Sequence, residues 1–234
     1  MSYEFLVPVN VSVIIFDFGG TLDTGGRHWA HVLFDAYRKA GVDISWEKFM
    51  DVYVATERRM EKKKIVDRTD TMRMMLEKKI ALHNLDTSIT DEVYNIVRTH
   101  AEKSRRVLLE LKQRARLAVV SNFYGNLQTV LEELNLADLF DVVTDSTVVG
   151  IRKPDPRIFA VTIEQMNAKP ENVMVVGDSM KNDILPAQEL GVAKCVMVNG
   201  NDNGNDKVNE NFVKINDINQ LLCDDIYLSV AKIQ

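Results

Sequence analysis

The sequence has little cysteine and no long apolar run. Two cysteines, Cys195 and Cys223, lie in apolar surroundings without metal-ligand spacing. We therefore expect reduced core side chains and no disulfide, as in a cytoplasmic protein. No apolar stretch is long enough to span a membrane. The N-terminal segment carries Glu4, lacks a basic leader and runs directly into a strand, which argues against a cleaved signal.

Basic tracts interleaved with aromatic side chains are also missing. The net charge is −5, and the Lys62-Lys63-Lys64 cluster fits a solvated helix face better than a nucleic-acid surface. Neither a nucleic acid nor a membrane is therefore an expected partner. With 46% hydrophobic and 27% charged residues, the chain is long enough for one sizeable core and a smaller appended domain.

The most informative segment is an apolar strand that ends in a carboxylate. Residues 13–22 read Val-Ile-Ile-Phe-Asp-Phe-Gly-Gly-Thr-Leu. A continuous Val/Ile/Phe run is typical of a strand buried on both faces of a parallel sheet, and open α/β sheets bind ligands beyond the carboxyl ends of such strands. Asp17 is thus the first candidate for chemistry. The two glycines after it allow close approach to an anion, and Thr21 adds a hydroxyl to the turn.

Three further apolar runs end in polar residues. They cover residues 117–120, 141–143 and 173–176. The polar residues that follow them are, in chain order, Ser121-Asn122, Lys153-Pro154, and Gly177-Asp178 with Asp183 beyond. Each segment alone also fits an ordinary structural role such as a turn, a helix cap or a solvated charge. Independent turns rarely fall in such an order on successive strands, so the four segments together favour a functional site.

In this order, the four segments resemble the motifs of the haloacid dehalogenase-like (HAD) hydrolase superfamily, of the helical-cap type. The resemblance spans residues 13 to about 198. It implies a Mg²⁺-dependent phosphatase in which Asp17 forms an aspartyl-phosphate, acting on a small phosphorylated metabolite. The implied catalytic residues are Asp17, Lys153 and Ser121. The implied phosphate-binding residues are Ser121, Asn122, Lys153 and Thr21. The implied metal-binding residues are Asp17, Gly19, Asp178 and Asp183.

The hydrophobic pattern agrees with that architecture. From about residue 105 helices and strands alternate, which predicts a doubly wound parallel sheet. Apolar stripes at helical spacing fill the segment before it, as in Met72-Met75-Leu76-Ile80. We therefore expect an α/β core of residues 1–23 and 105–234 with a helical cap of residues 24–104. A mobile loop is predicted for residues 199–211, with a short helix near residues 216–222.

The first motif departs from the family's phosphatases. In those enzymes the residue two positions past the nucleophile is a second Asp, which protonates the leaving alcohol; here it is Gly19. Losing a general acid costs about 10²- to 10⁴-fold in rate. The metal site is expected to survive, because this position contributes only its carbonyl. Asp23, His28 and His31 are candidates to replace the acid, although Asp23 also fits a turn cap and the histidines fit surface or packing roles.

Other interpretations stay open. Phosphonoacetaldehyde hydrolases of the family carry a small residue at the Gly19 position, keep Mg²⁺ and use a cap lysine as a Schiff base, for which Lys62, Lys63 or Lys64 is the candidate. Haloacid dehalogenases carry a bulky aromatic there and need no metal. A non-catalytic phosphate-binding or regulatory module would keep the fold and the metal without turnover. The sequence specifies neither the substrate nor the oligomeric state.

Overall fold

Parallel strands form the centre of the molecule. The computed structural model describes residues 6–62, 64–83, 88–199 and 211–222. Its strands are β1 (Val13–Phe16), β2 (Arg116–Ser121), β3 (Val142–Asp145), β4 (Val173–Gly177), β5 (Lys194–Val198) and β6 (Phe212–Ile215). They pair in the order β3-β2-β1-β4-β5-β6, and every neighbouring pair is parallel. This is the doubly wound parallel α/β fold that the sequence predicts; β6 was not predicted.

Helices cover the sheet and fill the long connection after β1. They are α1 (Trp29–Lys39), α2 (Trp46–Lys62), α3 (Met72–Leu82), α4 (Ser88–Lys112), α5 (Leu127–Glu133), α6 (Ser146–Val149), α7 (Arg157–Gln165) and α8 (Leu185–Glu189). A π-helical turn, Met180–Ile184, leads into α8, and short 3₁₀ turns occupy Ala137–Leu139, Pro170–Asn172 and Ile218–Leu222. The last of these turns lies where a short helix was predicted.

Each central strand is buried on both faces, which explains why the apolar runs are continuous. Ile14 and Phe16 of β1 point to one face and join a core cluster that includes residues of α4 and α5. Val13 and Ile15 point to the other face and pack in a second cluster with α7. Cys195 of β5 is buried there as a free thiol, as predicted, while Cys223 lies outside the described residues.

β1 is the strand from which the sheet extends in both directions. Phe16 is in register with Val119 of β2 and with Val176 of β4. The residues that follow these three strands therefore meet at one edge of the sheet, at the topological switch point where open α/β folds bind ligands. Three of the four predicted motifs begin at this edge.

Helices α1 to α4 form what we call the helical insertion, between β1 and β2. The predicted apolar stripes are its interior: Met72, Met75, Leu76 and Ile80 of α3 are buried in the same core cluster as one face of the sheet. The helix α4 runs without a break through the predicted cap boundary at residues 104 and 105. It contacts α1 and α3 as well as β2, so the position of that boundary stays a prediction.

Two other predictions concern a loop and membrane spans. The loop predicted for residues 199–211 lies outside the described residues except at its two ends. None of the described helices combines the length and the apolar character that a membrane span requires.

Candidate active site

Asp17 lies directly after β1, at the carboxyl edge of the sheet. Its backbone N–H donates a hydrogen bond to the carbonyl of Val176 in β4, at 2.8 Å. The Thr21 hydroxyl donates to Asp17 Oδ2 at 3.0 Å, and the Lys153 ammonium contacts Asp17 Oδ1. All three side chains are buried. The predicted nucleophile is therefore fixed by its own loop and by a cation from a different part of the chain.

Lys153 is held in place by a side-chain clamp. The Asn122 amide accepts a hydrogen bond from the Lys153 backbone N–H at 2.8 Å and donates to the Lys153 carbonyl at 3.0 Å. The Lys153 ammonium also pairs with Asp183 Oδ1 at 2.7 Å. Burial opposes the charge on Lys153, but Asp17 and Asp183 outweigh it and raise its pKa above the usual value. The side chain of Asn122, a residue predicted to bind phosphate, thus positions Lys153.

Three carboxylates crowd together beside this lysine. Oxygen atoms of Asp17, Asp178 and Asp183 lie within 4.8 Å of one another. Burial raises the pKa of Asp17 to about 6, with Lys153 opposing the rise. Burial and the charges of Asp17 and Asp183 raise the pKa of Asp178 to about 8. The cluster is short of positive charge, and hard carboxylate oxygens at this spacing could bind a divalent cation.

Two glycines make this crowding possible. A Cβ on Gly20 would lie 2.4 Å from a carboxylate oxygen of Asp178, and the φ of Gly20 is +102°. A Cβ on Gly177 would lie 2.5 Å from the Cβ of Asp183. Gly19 differs from both. The nearest atom to a Cβ there is Trp29 Nε1 at 3.7 Å, an ordinary contact, and its φ is not positive. The backbone therefore leaves room for a side chain at the position where the second Asp is missing.

The three candidate replacements for the acid lie in different environments. Asp23 is fully buried and accepts hydrogen bonds from the Gly20 backbone N–H at 2.7 Å and from Trp29 Nε1 at 3.0 Å. Burial raises the pKa of Asp23 to about 7. His28 lines the cavity described below and caps α1 by accepting from a backbone N–H, and burial lowers its pKa. His31 stacks on Trp46 and does not line that cavity.

The carboxylates open onto a cavity of about 280 Å³ between the sheet edge and the helical insertion. This volume suits a small-molecule ligand. Residues from the sheet edge that line it are Asp17, Gly19, Ser121, Asn122, Phe123, Tyr124, Arg152, Lys153, Asp178, Ser179, Asn182 and Asp183. Residues from the insertion and the turn before it are His28, Trp29, Tyr53, Glu57, Met75 and Lys79. Ser121 therefore faces the same space as Asp17, as predicted.

Sequence reasoning missed an ion pair in the wall of this cavity. Lys79 of α3 is buried and lies 2.5 Å from Glu57 of α2. A signal existed, because Lys79 occupies the same helical face as Met75 and Leu76, where a charge interrupts an apolar stripe. Among the lysines predicted as amine candidates, Lys64 is exposed. The side chains of the other two lie outside the described residues.

The chain matches the model of the haloacid dehalogenase-like hydrolase family over residues 11–191. That match covers most of the 234 residues, so the chain belongs to this family of hydrolases. The resemblance inferred from the four motifs is confirmed.

Similar proteins include several named phosphatases. Pyrimidine 5'-nucleotidase YjjG of Escherichia coli is 35% identical over 91 residues, which is 38% of this chain and 40% of that protein. A glyceraldehyde 3-phosphate phosphatase of Pyrococcus furiosus is 31% identical over 48% of this chain and 45% of its own length. The chain thus spans less than half of these two relatives. A phosphoglycolate phosphatase of Aquifex aeolicus is 28% identical over 71% of this chain and 76% of that protein.

Solved structures of the family share the fold. The YfnB protein of Bacillus subtilis, whose structure is bound to magnesium, has a TM-score of 0.54 at 17% identity, covering 91% of this chain and 97% of that one. A HAD phosphatase of Thermococcus onnurineus has a TM-score of 0.53 at 23% identity, covering 90% of this chain and 96% of that one. At this identity the likeness supports the fold alone.

The acidic cluster generates a prediction about metal binding. Asp178→Ala should weaken Mg²⁺ binding by more than 100-fold, because it removes a carboxylate oxygen from the cluster. Asp183→Ala should weaken it by about 10- to 100-fold, because Asp183 is tied to Lys153 and acts by orientation. Calorimetric titration with Mg²⁺ measures both affinities. If Asp178→Ala bound Mg²⁺ as tightly as the unmodified protein, the assignment of Asp178 as a ligand would be wrong.

Proposed function

We propose that the protein is a Mg²⁺-dependent phosphatase that acts on a small phosphorylated metabolite. The observation that carries this proposal is the Asp17–Lys153 ion pair beside Asp178 and Asp183, at the switch point of the sheet. The named phosphatases among the relatives support it. The helical insertion would act as a cap over the cavity, with its boundaries near residues 24 and 104, in a cytoplasmic enzyme.

The arrangement suits a two-step transfer of the phosphoryl group. One oxygen of Asp17 attacks phosphorus while the bond from phosphorus to the leaving oxygen breaks. The leaving oxygen takes a proton from solvent water, which gives an aspartyl-phosphate and the alcohol product. Water then attacks the same phosphorus and releases phosphate, which restores Asp17. Lys153 compensates the negative charge on Asp17 and on the phosphoryl oxygens, and Ser121 offers a hydroxyl to those oxygens.

A metal ion would complete the charge balance. The residues that would hold Mg²⁺ are Asp17, Asp178 and the carbonyl of Gly19, with Asp183 behind them. When bound, Mg²⁺ supplies positive charge that reduces repulsion between the carboxylates and the phosphate. A cation here would favour the ionised forms of Asp17 and Asp178, whose pKa values are raised first by burial and further by the neighbouring carboxylates.

A phosphonatase mechanism is less well supported. It needs an uncharged amine in the cavity, and Lys79 is the lysine that the insertion contributes to the lining among the described residues. Burial opposes the charge of Lys79, but pairing with Glu57 outweighs it, so its pKa is raised. Lys79 therefore stays protonated, which is the wrong state for Schiff-base formation. A dehalogenase is also disfavoured, because Gly19 replaces the bulky aromatic and the acidic cluster is present.

The nucleophile assignment is tested by Asp17→Asn. Turnover should fall on the order of 10⁴- to 10⁶-fold, because the amide cannot attack phosphorus. The fold should persist, since Lys153 keeps Asp183 as a counter-ion. Phosphate release and circular dichroism measure the two effects, and Asp35→Asn, the same change at an exposed position, is the control. Activity retained in Asp17→Asn would overturn the mechanism. No turnover by the unmodified protein with Mg²⁺ would favour a regulatory module.

Gly19 predicts a preference among leaving groups. Without a proton donor at this position, aryl phosphates should be hydrolysed faster than alkyl phosphates, because an aryl leaving group departs without protonation. Gly19→Asp should raise turnover of an alkyl phosphate by about 10²-fold or more and change that of an aryl phosphate much less. The open space at Gly19 lets the variant fold, which its melting temperature checks.

Gly19→Asn is the matched control, because it has nearly the same shape and no acidic proton. A rise in alkyl phosphate turnover in both variants would assign the effect to shape. If the unmodified enzyme hydrolysed both substrate classes equally fast and Gly19→Asp gained nothing, another acid such as His28 or Asp23 would have to act.

A further inference from the structure

The wall of the cavity formed by the insertion contains a cation that is already neutralised. Lys79 lies 2.5 Å from Glu57, and its ammonium is surrounded by the faces of three aromatic rings: Trp29 at 5.6 Å, Tyr53 at 5.9 Å and Tyr124 at 5.6 Å. Lys79 contacts Glu57 Oε1, and the Tyr124 hydroxyl donates a hydrogen bond to the other carboxylate oxygen, Oε2. We call this group of five residues the aromatic ion-pair site. It unites α1, α2 and α3 of the insertion with the loop after β2.

The charges in this part of the cavity cancel. Lys79 offsets Glu57, and the other cation that lines the cavity beside them, Arg152, pairs with Glu61 at 2.6 Å. Burial lowers the pKa of His28, which favours the uncharged form of its ring. Among the described lining residues opposite the acidic cluster, no positive charge is left without a counter-ion. An additional anion in this part of the cavity would find no unpaired cation among these lining residues to offset its charge.

The ion pair nevertheless keeps hydrogen-bonding capacity. An ammonium has three donors, and the contact with Glu57 uses one of them. Glu57 Oε1 is buried against the Lys79 ammonium, and Glu57 Oε2 accepts the hydrogen bond from Tyr124. A carboxylate oxygen has more than one lone-pair site, so Oε2 can accept a second hydrogen bond from a ligand. A hydroxyl group both donates and accepts, so it can satisfy Glu57 and Lys79 together.

Trp29 connects this site with the reacting groups. The indole lies beneath the Lys79 ammonium, while its Nε1 is the closest atom to the open position at Gly19. A phosphate ester with its phosphorus at Asp17 would have room for its leaving group past Gly19, on the side of the cavity that Lys79 and Glu57 line.

We propose that the aromatic ion-pair site selects phosphate esters whose leaving group is uncharged and carries a hydroxyl, and that it disfavours leaving groups with a carboxylate or a second phosphate. This inference rests on the proposed phosphatase function and narrows its substrate class. Lys79 donates a hydrogen bond to the hydroxyl oxygen, and Glu57 accepts a hydrogen bond from the hydroxyl group. The aromatic rings pack against the carbon chain.

A matched pair of ligands tests the selection. Glycerol 3-phosphate and 3-phosphoglycerate have the same number of carbons and differ in having a terminal hydroxymethyl group or a carboxylate. Both are titrated calorimetrically with Mg²⁺ into the Asp17→Asn protein, which cannot consume them, and both are tested as substrates of the unmodified enzyme. We expect glycerol 3-phosphate to bind about tenfold tighter or more, and to have the higher kcat/KM by a similar factor.

A charge change in the site should remove this preference. Glu57→Gln leaves the Lys79 cation uncompensated, so we expect affinity for 3-phosphoglycerate to rise by about tenfold relative to glycerol 3-phosphate. Glu47→Gln, the same change at an exposed position in the first turn of α2, should leave the ratio unaltered. Tyr124→Phe removes one hydrogen bond to Glu57 and keeps its charge, so it should preserve the preference for the neutral ligand.

The outcomes separate this inference from the proposed function. Equal or tighter binding of 3-phosphoglycerate by the Asp17→Asn protein overturns the inference, even if the unmodified enzyme hydrolyses phosphate esters. A folded Glu57→Gln protein with an unaltered ratio also overturns it. If Glu57→Gln fails to fold, two ratios of affinity for glycerol 3-phosphate over 3-phosphoglycerate decide on the inference. One is measured without a substitution at Glu57, and the other with Tyr124→Phe. If no phosphate ester, aryl phosphates included, is hydrolysed with Mg²⁺, the proposed function fails, and the binding ratio still tests the selectivity.

Discussion

The buried ion pair between Lys153 and Asp17 is the interaction on which the rest of the site depends. Removing charges from water is costly, and Asp178 and Asp183 add further negative charge beside the pair. The surrounding structure holds these groups together in spite of that cost: Asn122 clamps the backbone of Lys153, and glycines stand where any side chain would collide with a carboxylate. Carboxylates held in this way could bind a divalent cation.

Much of this arrangement could be predicted from the sequence, because the motifs occur where apolar runs end. In a parallel sheet these ends share one edge, so Asp17, Ser121 and Asp178 had to meet. The Lys79–Glu57 pair lay beyond such reasoning. Its partners come from different helices, and the packing angle of those helices brings them together. Sequence spacing also could not separate Gly19, which leaves open space, from its neighbour Gly20, which no other residue can replace without a clash.

The two ends of the cavity have opposite electrostatic character. The sheet edge gathers more negative charge than Lys153 offsets, so it suits a divalent cation. The insertion presents aromatic faces and a neutralised ion pair, so it suits an uncharged organic group. Trp29 lies between the two ends, in contact with the open position at Gly19 and with the Lys79 ammonium. The departure from the family's first motif therefore lies between the acidic cluster and the aromatic ion-pair site.

The central claim is that Asp17 is the nucleophile, and trapping the covalent intermediate tests it most directly. The enzyme is mixed with an aryl phosphate and Mg²⁺, quenched in acid within one turnover, digested and examined by mass spectrometry. The account predicts a peptide heavier by one phosphoryl group, with the modification on Asp17, that forms no more slowly than phosphate is released. Continued phosphate release with no phosphorylated peptide, or with the group on another residue, would contradict the account.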